Sequence, residues 1–185
     1  MDFSVWLAFI LASSILCFTP GPTVFIVMAQ SLNHGKKSVL PLVFGVLSGD
    51  VIAMAVSLIG LGALLATSAV FFSIFKWIAA LYLIFLGIKA WRSEVNIEAV
   101  NTVITKRRNI FKEALIVTAL NPKGIIFFVA FLPQFINTHS EVTHQLWLLA
   151  ITFVLLASLN ATIYAVFAGK AKQLLSSQKT QRLFN

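Results

Sequence analysis

Two ionisable residues stand where lipid should be: Asp50, inside an apolar run from Val39 to Ala66, and Lys123, near the centre of another from Ala114 to Ile136. A charge at the centre of a bilayer costs about 2.5 to 3.5 kcal/mol on insertion scales, so both side chains must face the interior of a bundle. One reading is structural, an ion pair that neutralises itself, or a Lys123 that snorkels to the interface. The other is chemical. Asp50 would take the ammonium and Lys123 the carboxylate of a small zwitterion, with Asp50 also able to take up and release the proton that a coupled carrier requires.

Two interruptions accompany these charges. Thr19-Pro20-Gly21-Pro22 falls inside the first apolar run and Asn121-Pro122-Lys123-Gly124 inside the fourth. Proline has no N–H and its ring clashes with the preceding turn, so a helix must break at both places and leave backbone groups unpaired. Lipid cannot satisfy them. Such backbone is tolerated at membrane depth only where protein covers it or a polar cavity receives it, and in transporters broken helices line the substrate site. The plainer alternative is a kinked helix packed against its neighbours.

The elements that must hold these groups are membrane helices. Of 185 residues, 59% are hydrophobic and 11% charged, and mean hydropathy is +0.93, which excludes an ordinary soluble domain with about 25% charge. The net charge of +8 does not point to nucleic acid, because Lys and Arg gather at the ends of apolar runs and face water and anionic headgroups. The single cysteine, Cys17, excludes an intrachain disulfide and a cysteine metal cage. No cofactor or metal site is expected.

Five runs reach the length needed for about 30 Å of hydrocarbon at 1.5 Å per residue: Ser4 to Met28, Val39 to Ala66, Val70 to Trp91, Ala114 to Ile136 and Leu146 to Gly169. Basic residues fall in alternate connections, at Lys36 and Lys37, at Arg92 to Lys112, and after Lys170, whereas Thr67–Ser73 and Asn137–Gln145 carry none. The positive-inside bias then places the N-terminus outside, with Trp6, Trp77, Trp91 and Trp147 as interfacial anchors. No positive residue precedes the first run, so it reads as a retained helix rather than a cleaved signal. The fold class is all-α, a polytopic bundle forming one integral membrane domain over 1–185, with repeats at about 1–92 and 114–185 around a cytoplasmic loop at about 93–113.

Aligning Pro20 with Pro122 sets Phe25 on Phe127 and Val27 on Val129, where a three-helix repeat would put them. Tandem units with an odd number of crossings enter the membrane from opposite sides, the inverted 3+3 plan of many carriers. A sixth helix is then expected after Gly169, and Lys170 to Asn185 does not supply it; the reading is a truncated chain or one completed by a partner.

Other polar residues read as structural. Asn121 and Asn160 would bridge helices by hydrogen bonds, and Thr19, Thr23 and Gln30 would cap the broken helix in preference to touching substrate. Gly45, Gly49, Ala53 and Ser57 recur every fourth residue, a seam for close backbone approach either inside the bundle or across a homodimer. The 17 phenylalanines read as packing and lipid-facing surface.

Taken together, Phe18-Thr19-Pro20-Gly21-Pro22, Gly35-Lys36, Gly45 with Gly49-Asp50, Tyr82-Leu83 to Gly87, Lys89-Ala90 and Asn121-Pro122-Lys123 with Phe131 and Pro133 resemble the lysine-exporter family, in its homoserine/threonine-exporter (LysE/RhtB) branch of bacterial inner-membrane efflux proteins. The resemblance covers essentially the whole chain. It implies a six-helix carrier exporting amino acids or close derivatives on the proton gradient, with Pro20, Gly21, Pro22, Asp50, Asn121, Pro122 and Lys123 as the positions carried over. The chain departs from the family by stopping before its final Gly-rich helix. Branches that move reducing equivalents or metals use paired cysteines or His-rich loops, which this sequence lacks.

The leading expectation is therefore a secondary carrier, by resemblance an antiporter of the inner membrane, with a substrate site at Thr19, Pro20, Gly21, Pro22, Asp50, Asn121, Pro122 and Lys123. Its partners would be a small zwitterionic amino acid and the bilayer. The competing expectation is a non-transporting or truncated membrane subunit. An enzyme is not expected, since no Ser–Lys pair and no His-Glu-x-x-His run is present.

Overall fold

The computed structural model describes residues 1–67, 69–92 and 109–175. Helices account for nearly all of them, and no strand occurs among the described residues. The chain is a polytopic helical membrane protein: α1 (Phe3–Phe18), α2 (Pro22–His34), a 3-10 turn (Gly35–Ser38), α3 (Val39–Thr67), α4 (Ala69–Arg92), α5 (Ile110–Ala119), α6 (Pro122–Ala130), a second 3-10 turn (Leu132–Phe135) and α7 (Val142–Leu175). Both proline interruptions separate helices, α1 from α2 and α5 from α6, and each proline-bearing second half starts with Pro at its first position, where the missing N–H is no loss.

Two buried clusters fix the directions of the α1–α2 and α5–α6 pairs and of α3 and α7. One joins Phe9 of α1 to Ala53 and Met54 of α3, Phe127 and Phe128 of α6, and Leu149 and Phe153 of α7. The other joins Val27 of α2 to Leu42 and Val46 of α3, Ile110 and Ala114 of α5, and Ala161 and Ala165 of α7. The α1–α2 pair therefore runs from the Phe9 level to the Val27 level, and α5–α6 runs the opposite way. By length and apolar composition Pro22–Gly60 and Val142–Lys170 can cross a membrane, with the α5–α6 pair, bent by 44° at its break, as a third span. The first of these stretches folds back at Gly35, because Val27 shares a cluster with Leu42 and Val46. Gly35 makes that reversal with φ +64, the left-handed region open to glycine.

Lipid tails are as apolar as leucine, so dispersion and close packing hold such helices together. Phe128 meets Phe153 edge-on at 4.7 Å between ring centroids, while Phe3, Phe44, Phe85 and Phe167 face outward, so the phenylalanines serve both uses expected of them. The glycine seam of α3 is filled from within. A Cβ at Gly45 would lie 2.6 Å from the Phe111 carbonyl oxygen, and one at Gly49 would lie 2.6 Å from Thr118 Cβ and 2.7 Å from the Leu115 oxygen. The seam seats α5, and its glycines are explained without a second copy of the chain.

Some expectations shift or fall outside the described residues. Helix α5 starts at Ile110 rather than Ala114, and α7 runs from Val142 to Leu175, longer at both ends than the apolar run. Phe25 is exposed where its expected counterpart Phe127 is core. Trp77 and Trp147 face outward, and Trp6 donates its Nε1–H to Thr152 Oγ1 at 3.0 Å. Residues 93–108, most of the expected loop, and the basic tail from residue 176 lie outside the described residues, as does the side chain of Trp91.

Candidate functional site

The two breaks meet between the clusters. With Pro20 and Pro22 in the chain, the carbonyls of Leu16 and Phe18 lose the N–H groups that would answer them four residues later. Side chains from other helices supply the missing donors. Lys123 Nζ donates to the Leu16 oxygen at 2.7 Å and to the Thr19 oxygen at 2.7 Å, and Tyr164 Oη of α7 donates to the Phe18 oxygen at 3.0 Å. The ammonium thus sits at the carbonyl end of α1, where the helix dipole is negative.

The second break satisfies itself. Asn121 N–H turns back to the Thr118 oxygen at 3.1 Å, the carbonyl that Pro122 would otherwise leave unanswered. Asn121 Oδ1 accepts from the Lys123 N–H at 3.1 Å as an N-cap, and Asn121 Nδ2 donates to Thr23 Oγ1 at 3.1 Å. Thr23 in turn lies 3.3 Å from Thr118 Oγ1. The helix-bridging role expected of Asn121 is what the structure contains.

A chamber opens where these elements converge, lined by Gly21, Thr23, Asp50, Asn121, Lys123 and Gly124 together with Val24, Val27, Val46, Phe153 and residues of α7. Its volume is about 50 Å³, room for a few waters. At α2 the N–H groups of Thr23 and Val24 have no side-chain cap and precede the first helical bond, from Phe25 N–H to the Gly21 oxygen at 3.0 Å. The lining therefore carries amide donors and an ammonium from α2 and α6 and a carboxylate from α3. Asp50 forms no hydrogen bond or ion pair with the described residues, although its charge and that of Lys123 bear on each other. Of the two readings of these charges, the self-neutralising pair is absent: Lys123 binds main-chain carbonyls instead.

The remaining expected residues sit on the other side of the breaks. Pro20, Pro22 and Pro122 border a crevice of about 290 Å³ shared with Tyr82, Leu86 and Lys89 of α4. Thr19 borders a second crevice of about 290 Å³ beside Leu83 and Gly87, and its hydroxyl is spent on the Ile15 oxygen at 2.7 Å. Lys123 borders all three spaces. The crevices are roomier, but only the chamber presents both signs of charge. Gly21 has φ −154, extended backbone that any residue adopts, and a Cβ there would make ordinary contact with Lys123 Nζ at 3.5 Å.

Sequence reasoning missed Tyr164, and it placed Asn160 among helix-bridging residues, whereas Asn160 lines the chamber and bridges nothing among the described residues. Their signal is a spacing of four, which sets both on one face of α7. Gln30 is not a cap of the break either: fully buried, it donates Nε2–H to Glu113 Oε2 at 2.7 Å, joining α2 to α5 at the Val27 level.

A helical membrane protein whose antiparallel broken helices enclose a polar chamber has the architecture of a translocator. The chain belongs to the LysE type translocator family, which matches residues 14–185, a family of membrane translocators rather than of enzymes. It is 33% identical over 186 residues to the homoserine/homoserine lactone efflux protein of Salmonella typhi, covering 100% of this chain and 90% of that protein. It is 31% identical over 186 residues to an uncharacterised membrane protein of Vibrio cholerae, covering 100% and 91%, and 28% identical over 181 residues to the leucine efflux protein of an Enterobacter species, covering 96% and 86%. No solved structure matches the chain.

Proposed function

We propose that the protein is a secondary carrier exporting small zwitterionic amino acids across the bacterial inner membrane. The observation that carries this reading is the chamber itself, lined by the α2 amides and Lys123 and by the unpaired Asp50. Carboxylates bind at helix N-termini and ammonium groups at carboxylates, so one small zwitterion matches both signs of charge. The efflux relatives named for homoserine and leucine favour a neutral amino acid as cargo.

In this reading the five spans place the N-terminus outside, following the basic connections. Transport proceeds by alternating access, the α1–α2 and α5–α6 halves moving around a site that stays in place. Asp50 is the proton-coupling residue: it exchanges a proton for the ammonium group, which makes the carrier an antiporter. Gly21, Asn121 and Lys123 hold the carboxylate end, and Thr19, Pro20, Pro22 and Pro122 shape the backbone around it.

Counterflow of labelled threonine or homoserine into proteoliposomes tests the assignment. Flux is expected from the purified full chain, and Asp50→Asn is expected to abolish proton-driven efflux while leaving membrane insertion intact. A variant that exports normally removes Asp50 from the mechanism. Absence of flux from the unaltered protein favours a structural membrane subunit instead.

A further inference from the structure

The chamber contains one polar side chain that neither the break geometry nor the zwitterion needs. Asn160 of α7 is 7% exposed, lines the chamber, and has its Nδ2 sealed from solvent without a hydrogen-bond partner. Neither end of its amide bonds to any described residue. Buried amides are nearly always paired, because an unmade hydrogen bond in a low-dielectric interior is costly. Asn121 shows the ordinary state, with both ends of its amide in use.

No described residue answers it. Ala157 and Ala161 share its helix face, Val27 and Val46 contribute apolar wall, and the Tyr164 hydroxyl one turn on is committed to the Phe18 oxygen. A molecule inside the chamber is the remaining source of a partner, a water in the empty site and a ligand in the loaded one. The backbone amides with Lys123, and Asp50 from α3, already match the two charged ends of an amino acid, so the free amide faces what is left of it, the side chain.

We infer that Asn160 is the specificity-determining residue of the site, hydrogen-bonding the hydroxyl of a small amino-acid side chain; this rests on the carrier reading above. A hydroxyl suits an amide in either orientation, since it can donate to Oδ1 or accept from Nδ2. It also suits a space with room for only a few waters. A site built around such a bond discriminates strongly against an isostere that lacks it, since the amide would then be left buried and unpaired.

The test compares side chains that differ only by hydroxyl against methyl: threonine with valine, and homoserine with norvaline, in counterflow by the purified full chain. The protein is expected to favour the hydroxylated member of each pair by about tenfold or more in flux per KM. Asn160→Leu is expected to erase that preference, losing the hydroxylated substrates and keeping the aliphatic ones. Asn160→Ala carries the same expectation should the leucine variant fail to insert. Equal handling of each pair by the unaltered protein overturns the assignment, as does a variant in which both members fall in proportion and the ratio survives, the mark of a residue that only packs. If none of the four amino acids is carried, the carrier reading itself fails and this assignment falls with it; flux without preference removes the assignment alone.

Discussion

At Thr19–Pro22 the carbonyls left over by two prolines are answered from more than a hundred residues away, by Lys123 and Tyr164. At Asn121–Pro122 the same deficit is met within the break, by the Asn121 N–H and its own side-chain cap. The first break depends on long side chains that can let go; the second is a self-contained corner. The difference separates a break held by distant side chains, at the end of α1, from one held within its own turn, at the α5–α6 corner.

Removing the shared donor separates the two most sharply. Lys123→Met leaves the Leu16 and Thr19 carbonyls unanswered at membrane depth, an expected loss of about 2–4 kcal/mol, read as a lowered unfolding midpoint in detergent together with lost flux. The second corner can be attacked through its seat. Gly49→Ala drives a Cβ to within 2.6 Å of Thr118 Cβ and is expected to cost about 1–3 kcal/mol, in the same unfolding measurement.

Tyr164→Phe removes one bond to the first break and nothing else, so a smaller loss of about 0.6–1.7 kcal/mol is expected, with hydrogen exchange accelerated at the α1 end and unchanged in α5. Accelerated exchange in both would mean that the two breaks are not separate devices. The smallest effect belongs to Thr19→Val, within about 0.5 kcal/mol, because the Ile15 oxygen keeps the Thr19 N–H at 3.0 Å when the hydroxyl is lost.

Much of this was readable from the chain alone, and the part that was not has a common cause. Proline position alone fixed both breaks, since the missing N–H is a property of the residue itself, and the every-fourth-residue glycines marked a close helix contact. What the seam touches, and which acceptor Lys123 chooses, depend on how helices are rotated against each other. An apolar run is uniform around its circumference and carries little of that information. Asp50 and Lys123, two charges at similar depth, invited a direct pair, yet the carbonyls of Leu16 and Thr19 hold the ammonium. Asn121 and Asn160 look alike in sequence; only the fold shows that both ends of one amide are engaged and that the other is idle. Glu113, at the edge of the expected loop, anchors Gln30.

The glycine seam between α3 and α5 has a mechanical corollary. Contacts made backbone to backbone, with the Phe111 and Leu115 carbonyls against Gly45 and Gly49, leave no flexible side chains to absorb sliding, so the two helices travel as a single plank. Asp50, one residue beyond Gly49, and Thr118, at the edge of the Asn121 corner, ride on that plank together. The acid is thereby held in register with the corner by a contact that has no slack in it.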